Sequence, residues 1–499
     1  MKNKKIAIIG SGFSGLSAAA YLAKEGCQVH VFEKNDCLGG RARKFEIDGF
    51  SFDMGPSWYW MPEVMEAFFK DFNSSISEHF ELKKLAPAFN VVFEGNEKVS
   101  IPEDYTALKS LFESIEKGSS DELESFMADA QKKYDISFST LIEKPGLSIN
   151  EYLDYETIKA SMNMSLFGSY QKMVHRKFKN LKLRAIMEFP VLFLGAKPKN
   201  TPALYSLMNY AGLKLGTFYP MGGFYSLVEG MVAICKQQGV TFHSNANVTQ
   251  INITKKQVTS LSVNGNQFNI DGLVGSADYH HIEQKLLPKE YKNYPEDYWE
   301  KKTFAPSSLI FYLGVNKKID MLEHHTLFFD ADFEEHATEI YDTKKWPKKP
   351  LFYVCTPSKT DPNVAPDNCE NLFLLMPLAT GIEDSEELRE KYYHMLMNRL
   401  EQHVGAPLKE NIIYKKSYCI KDFENDYNAY GGNAYGLANT LNQTAIFKPK
   451  IINKKIKNLV YTGQLTVPGP GVPPSIISGK ISAKLLSQTL KQKSHEITI

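Results

Sequence analysis

Gly10, Gly12 and Gly15 stand in the pattern G-x-G-x-x-G, and an acid, Glu33, follows them further along the chain. Residues of these types at this spacing serve to bind a ligand with a pyrophosphate bridge. The first glycine permits a tight turn, the second lets the backbone approach the phosphates, and the third lets helix and strand pack closely. Phe13 and Ser14 would open a helix whose unpaired N–H groups and positive dipole end face the phosphates. Glu33, with Lys34 beside it, has the placement of the carboxylate that accepts hydrogen bonds from a ribose. A carboxylate there repels a 2′-phosphate, which disfavours NADP.

A second group of residues separates FAD from NAD. Leu38-Gly39-Gly40-Arg41-Ala42 comes directly after Glu33 and resembles the second flavin motif of the amine-oxidase-like flavoproteins. The diglycine lets the backbone reach a cofactor, and Arg41 offers a fork of donors to a phosphate or flavin edge. Asp53-Met54-Gly55-Pro56-Ser57 matches the next element of such enzymes, a turn against the isoalloxazine ring. Near the other end, Tyr461-Thr462-Gly463-Gln464 closes a strand. Pro468-Gly469-Pro470-Gly471-Val472-Pro473-Pro474 then precedes a helix expected from about Ser475. A helix N-terminus aimed at the pyrimidine side of a flavin stabilises negative charge on the reduced ring. Prolines suit the first turn because the N–H they lack would be unpaired there anyway.

The elements that must position these residues follow from the hydrophobic pattern. Ile6 to Ile9 reads as a buried parallel strand, Ser14 to Lys24 as a helix and Val29 to Phe32 as a second strand, making one βαβ unit. Residues ~65 to ~215 read as mostly helical, and a helix is expected from Phe224 to Gln238. From Val240 to Val274 short β-prone runs alternate with Asn/Gly turns, the pattern of a meander. Strands are expected at Leu309 to Val315, Leu351 to Cys355, Asn371 to Pro377 and Leu459 to Thr462. The fold class implied is α/β. A Rossmann-type domain is assembled from residues 1–65, 219–285 and 455–499. Residues 66–218 form a largely helical region, and 286–454 a substrate domain with antiparallel strands.

The motifs together resemble the carotenoid desaturase family, and within it the bacterial phytoene desaturases. The residues that carry this are Gly10 to Gly15, Leu38 to Arg43, Tyr219 to Phe224, Gly275-Ser276-Ala277-Asp278-Tyr279-His280, and the stretch from Gly463 to Gly479. The resemblance implies FAD-dependent introduction of double bonds into phytoene on the way to lycopene, with quinone or oxygen as electron acceptor. It also implies that the backbone of Val248 meets the adenine, and that Gly463, Gln464, Gly471, Val472 and Pro473 face the flavin. Gln464 departs from the small residue common in relatives. The flavin carries the difficult step in such chemistry and the protein mainly orients the substrate. No catalytic residue is assigned. His280-His281 reads as structural, and Arg176 and Asp154 belong to no motif.

A substrate of this kind lives in a bilayer. Residues 172–184 carry Lys172, His175, Arg176, Lys177, Lys179, Lys182 and Arg184 with no acid, and Val174, Phe178, Leu181 and Ala185 would share a helical stripe. A basic helix beside apolar segments is the pattern of attachment to a membrane surface. Trp58-Tyr59-Trp60 suits the lining of an apolar tunnel. No run approaches the ~20 apolar residues that span a bilayer. The N-terminal lysines run into the glycine motif rather than a cleavage site, so a cytoplasmic protein held peripherally on the cytoplasmic membrane is expected.

Composition excludes other classes. The net charge of +1 over 499 residues gives no pull toward nucleic acid. Cys27, Cys37, Cys235, Cys355, Cys369 and Cys419 are scattered without a C-x-x-C pair, so neither a metal site nor a disulfide framework is expected. The competing functions are a carotenoid 3,4-desaturase, a carotenoid isomerase, an amine oxidase, or a flavin-less lipid-escort protein on the same scaffold. The intact phosphate motif speaks against the last.

Overall fold

A computed structural model describes residues 1–153, 168–192 and 195–496. Asp154 and the run Phe193-Leu194 lie outside them.

Five parallel strands form the first sheet, in the order Leu459–Tyr461, Gly272–Gly275, Lys5–Ile9, Gln28–Phe32, Thr241–His243. Ile6, Ala7 and Ile8 are fully buried, as an apolar run at the centre of a parallel sheet must be. The sheet therefore draws on the first residues, the middle and the C-terminal region of the chain. Thr241–His243 and Gly272–Gly275, read from sequence as parts of a meander, belong to this sheet instead. The meander is confined to Val248–Thr254, Gln257–Val263 and Asn266–Asn269. Hydrophobic alternation alone cannot say which neighbour a short strand takes.

The helix Phe13–Lys24 packs on the C-terminal helix Val472–Glu496. At the contact a Cβ on Gly479 would lie 2.4 Å from the carbonyl oxygen of Ser14 and 2.6 Å from the Cβ of Ser17. Ser17 Oγ donates to the carbonyl of Ile476 at 2.6 Å. The crossing therefore brings backbone close to backbone, with only the small Ser17 side chain at the contact.

A second, seven-stranded sheet lies across the cavity described below. Its order is Ile412–Tyr418, Ser307–Val315, Glu370–Leu378, Phe352–Cys355, His325–Phe329, Phe89–Phe93, Glu97–Ile101. The last two strands come from the stretch expected to be mostly helical. Phe89–Phe93 has all five residues buried and runs parallel to His325–Phe329, so a distant partner sets its conformation.

The basic segment also differs from its reading. It is two helices, Tyr170–Lys177 and Leu181–Leu192, separated by an extended Phe178. Val174 and Phe178 are fully buried, with Phe178 against Phe112 and Phe126, while Leu181 is 75% exposed. The proposed stripe is thus divided: Val174 and Phe178 belong to the core and Leu181 faces outward. Lys177 pairs with Glu122 at 2.8 Å and Lys182 with Glu97 at 2.5 Å, acids from far away in sequence that offset two of the segment's charges. Among the described residues no helix is long and apolar enough to cross a membrane.

The tight helix crossing makes a direct prediction. Gly479→Ala should lower the urea midpoint by the equivalent of about 1–3 kcal/mol, because the obstructing atom is backbone and cannot swing aside. An unchanged midpoint would show that the two helices separate without loss.

Candidate functional site

Gly10 has φ +97° and its N–H bonds the carbonyl of Phe32 at 2.9 Å, turning the chain sharply off the first strand. A Cβ on Gly15 would lie 2.2 Å from the carbonyl oxygen of Gly10, so the helix starts hard against the turn. Gly12 has open space where its Cβ would be. That space faces a cavity of about 840 Å³ lined also by Gly10, Phe13 and Ser14. These are the three roles expected of the three glycines. Gly15 is the one residue of the sequence-derived set that does not line the cavity; it acts behind the wall.

Glu33 is buried at the end of the second strand. Its Oε2 accepts from Ser11 N–H at 3.0 Å and Ser11 Oγ at 2.7 Å, and Oε1 accepts from Asn35 N–H at 3.0 Å. The carboxylate therefore braces the glycine turn, and Oε1 retains a lone pair for a hydroxyl donor. Lys34 lines the cavity beside it, as does Val248 on the far side, where Ala246 N–H bonds the carbonyl of Glu33 at 2.8 Å. Gly39 and Gly40 have φ +109° and +57°, and a Cβ on Gly40 would lie 3.1 Å from the Cα of Gly12. The diglycine thus lays one backbone turn on the other. A Cβ on Gly55 would meet the carbonyl of Arg41 at 2.3 Å, which holds the Gly55-Pro56-Ser57 turn against the arginine.

Arg41 is the pivot of the site. Its Nη2 donates to the carbonyl of Asn433 at 3.2 Å and its guanidinium stacks 5.0 Å from the ring centre of Tyr427. Oriented to satisfy its neighbours, Gln464 accepts from Arg41 Nη2 at 3.1 Å and from Gly436 N–H at 3.3 Å. The departure at Gln464 is therefore a clamp on Arg41. Arg41 Nε is buried without a hydrogen-bond partner, and so is Asp278 Oδ2. Burial pulls the arginine below its ordinary pKa, opposed by Asp278. Burial likewise lifts the Asp278 carboxyl, opposed by Arg41. Buried polar atoms left unpaired at a cavity wall fit a polar ligand that pairs them.

The C-terminal residues close the same wall. Gly463 has φ +104°, with its N–H on Ser478 Oγ at 3.0 Å, and a Cβ there would lie 3.1 Å from Ser14 Oγ. Gly471, Val472 and Pro473 line the cavity at the start of the terminal helix. FAD fits this set. Open backbone at Gly12, a helix N-terminus, an acid at Glu33 and the unpaired Nε–H of Arg41 are donors and acceptors of the kind a dinucleotide uses.

The remainder of the cavity is apolar and aromatic. Trp58 and Trp60 line it, as do Phe189, Leu207, Met208 and Phe329, whereas Tyr59 is buried outside it. Two titratable groups on this wall are held uncharged. Burial pushes His336 down to about 4 and raises Tyr435 to about 12, while His281, also at about 4, has Lys34 among its charged neighbours and belongs to the cradle. His280 bonds Glu296 at 2.8 Å, a structural contact as expected of it. Sequence reasoning missed the loop Tyr430 to Gly436, which supplies Asn433 and Tyr435. Its glycines at 431, 432 and 436, all with positive φ, were the available signal of close backbone approach.

Replacing Arg41 with alanine should weaken FAD affinity about 10- to 100-fold, the loss expected for a charged donor, and lower the flavin-to-protein absorbance ratio of the purified protein. Retention of flavin at the wild-type level would place the phosphates elsewhere.

Comparison with known proteins agrees with this geometry. The profile of the flavin-containing amine oxidoreductases matches residues 13–487. A carotenoid 3,4-desaturase of Haloarcula japonica is 37% identical over 491 residues, covering 98% of this chain and 99% of that one. A 4,4'-diapophytoene desaturase (4,4'-diaponeurosporene-forming) of Staphylococcus haemolyticus is 31% identical, covering 97% of this chain and 99% of the relative. Among solved structures, a putative protoporphyrinogen oxidase from Exiguobacterium superposes with a TM-score of 0.63 at 14% identity, covering 98% of this chain and all (100%) of that one, and shares the fold. The chain belongs to the flavin-containing amine oxidoreductases and, within them, to the carotenoid desaturase family of FAD-dependent enzymes.

Proposed function

We propose that the protein desaturates an acyclic carotenoid, and that phytoene, converted toward lycopene, is its substrate. The observation that carries this is the continuity of the cavity. The FAD-type cradle and the aromatic chamber are one space, and that space opens at a rim of exposed apolar side chains. Ile149, Leu441 and Phe447 line it while being 55%, 44% and 57% exposed. A rim of this kind suits a long isoprenoid drawn from a lipid surface better than a water-soluble amine.

Bound FAD supplies the hydride acceptor for such a reaction. The chain's residues do the rest by binding and exclusion. Trp58, Trp60 and Phe189 pack the polyene, and the neutral His336 presents no charge that the apolar chain would have to desolvate. Loss of a hydride leaves an allylic cation whose neighbouring proton is acidic enough for water to take. No strong base is required beside the carbon chain.

A second reading, 3,4-desaturation of an already conjugated carotenoid, is favoured by the 37% identity to the Haloarcula enzyme. Phytoene-loaded liposomes, with FAD and either a quinone or air, separate the two. Coloured products with extended conjugation are expected from phytoene. If phytoene is untouched and a coloured carotenoid is oxidised, the 3,4-desaturase reading replaces the first.

Membrane contact belongs at the cavity rim on this reading, not on the basic helices. Lys450 Nζ ties the rim together by donating to the carbonyls of Gly146 at 2.6 Å and Ile446 at 3.0 Å. Phe447→Glu with Ile149→Glu should reduce sedimentation with liposomes about tenfold and leave the flavin spectrum intact. Glutamates at Lys177 and Lys182 should leave it near wild type. The reverse result would return attachment to the basic segment.

A further inference from the structure

Behind the turn Gly55-Pro56-Ser57, and outside the cavity, three side chains that ligate metals converge. A donor atom from each of His324, His325 and Cys355 lies within 4.8 Å of the others, and the three residues are 4%, 0% and 2% exposed. They come from two strands, since His325 is the register partner of Cys355 and His324 immediately precedes the first strand. No spacing in the sequence announces them.

The hydrogen bonds leave the two imidazoles ready to ligate. His324 Nδ1 lies 2.7 Å from Thr360 Oγ1, and His325 Nδ1 lies 2.6 Å from the hydroxyl of Tyr353. The Tyr353 hydroxyl, which also hydrogen-bonds Cys355, lies 3.1 Å from Ser57 Oγ; donating there, it accepts from His325 Nδ1–H. That tautomer puts a lone pair on Nε2 of His325. Nε2 of both histidines is buried with no hydrogen-bond partner. A second partner on the other ring nitrogen is how proteins orient metal-bound imidazoles. Trp58 stacks on His325 at 4.0 Å between ring centres and fixes its plane. A void of about 20 Å³ lies against His324 and Cys355, bounded also by Asp53 and Tyr219. It is large enough for one water-sized occupant.

We infer that His324, His325 and Cys355 form a binding site for one divalent ion of the zinc class, completed by a water molecule in the adjoining void. Two imidazoles and one thiol are the donor set of Zn2+, and hard cations that prefer oxygen are disfavoured. Ligation replaces the thiol proton of Cys355, which leaves to solvent, with no redox step. Through His325, Tyr353 and Ser57 the ion would brace the turn that faces the flavin. Because the core encloses the site, the ion must enter as the chain folds.

The test is the zinc content of flavin-loaded protein expressed in zinc-supplemented medium. About one zinc per chain is expected, with X-ray absorption giving one sulfur near about 2.3 Å and two nitrogens near about 2.0 Å. Cys355→Ser and His324→Gln should each lower zinc at least tenfold while flavin absorbance reports an intact fold. Wild-type protein that carries flavin but no zinc above buffer overturns the inference. So does zinc that persists undiminished in both variants, which would place the ion elsewhere. Should a variant lose flavin as well, the wild-type sulfur-to-nitrogen ratio decides: a shell of oxygen alone rejects the site.

Discussion

The close contact of the first helix, Phe13–Lys24, with the last, Val472–Glu496, is the constraint on which the site depends. It requires Gly479 over Ser14 and Ser17, because any side chain there would strike backbone. Gly463 meets the Ser14 hydroxyl by the same route. The glycine turn and the C-terminal proline segment, some 450 residues apart, thereby become two sides of one wall. Were the helices held farther apart by even a methyl group, the cofactor cradle would lose its second side.

Within that wall the charged groups are few and interdependent. Glu33 stabilises the glycine turn through Ser11 and Asn35. Arg41 is gripped by Asn433, Gln464 and the ring of Tyr427, yet keeps one buried donor unpaired. Positioning of this kind fixes a cation where phosphate charge would be neutralised, and the low dielectric of the buried site strengthens the interaction. The chamber next to it follows the opposite rule. Burial keeps His336 and Tyr435 neutral, so the polar cradle and the apolar tunnel coexist in one cavity.

The seven-stranded sheet gives the tunnel its outer wall, and its strands are recruited from both sides of the helical region. Phe89–Phe93 pairs with His325–Phe329 across more than two hundred residues. This pairing brings Trp58, Phe89 and Phe189 together, with ring centres 5.1 to 5.4 Å apart. Val174 and Phe178 are consumed in the same packing, while Ile149, Leu441 and Phe447 remain exposed at the rim.

What the sequence determined by itself was local or metrical. Glycine spacing, the acid at Glu33, the Gly39-Gly40-Arg41 turn and the proline-led terminal helix are legible because turns that need positive φ, or backbone near a ligand, admit few residue types. Strand and helix positions in the nucleotide-binding part followed from periodicity with shifts of one to three residues at most boundaries. Only the tertiary structure decided partners. It placed Thr241–His243 and Gly272–Gly275 in the parallel sheet, gave Lys177 and Lys182 their distant acids, and turned Gln464 into a clamp. It also set Cys355 beside His324 and His325. Hydrophobic pattern records that a face is buried but not against what, and pairing across hundreds of residues leaves no trace in local spacing.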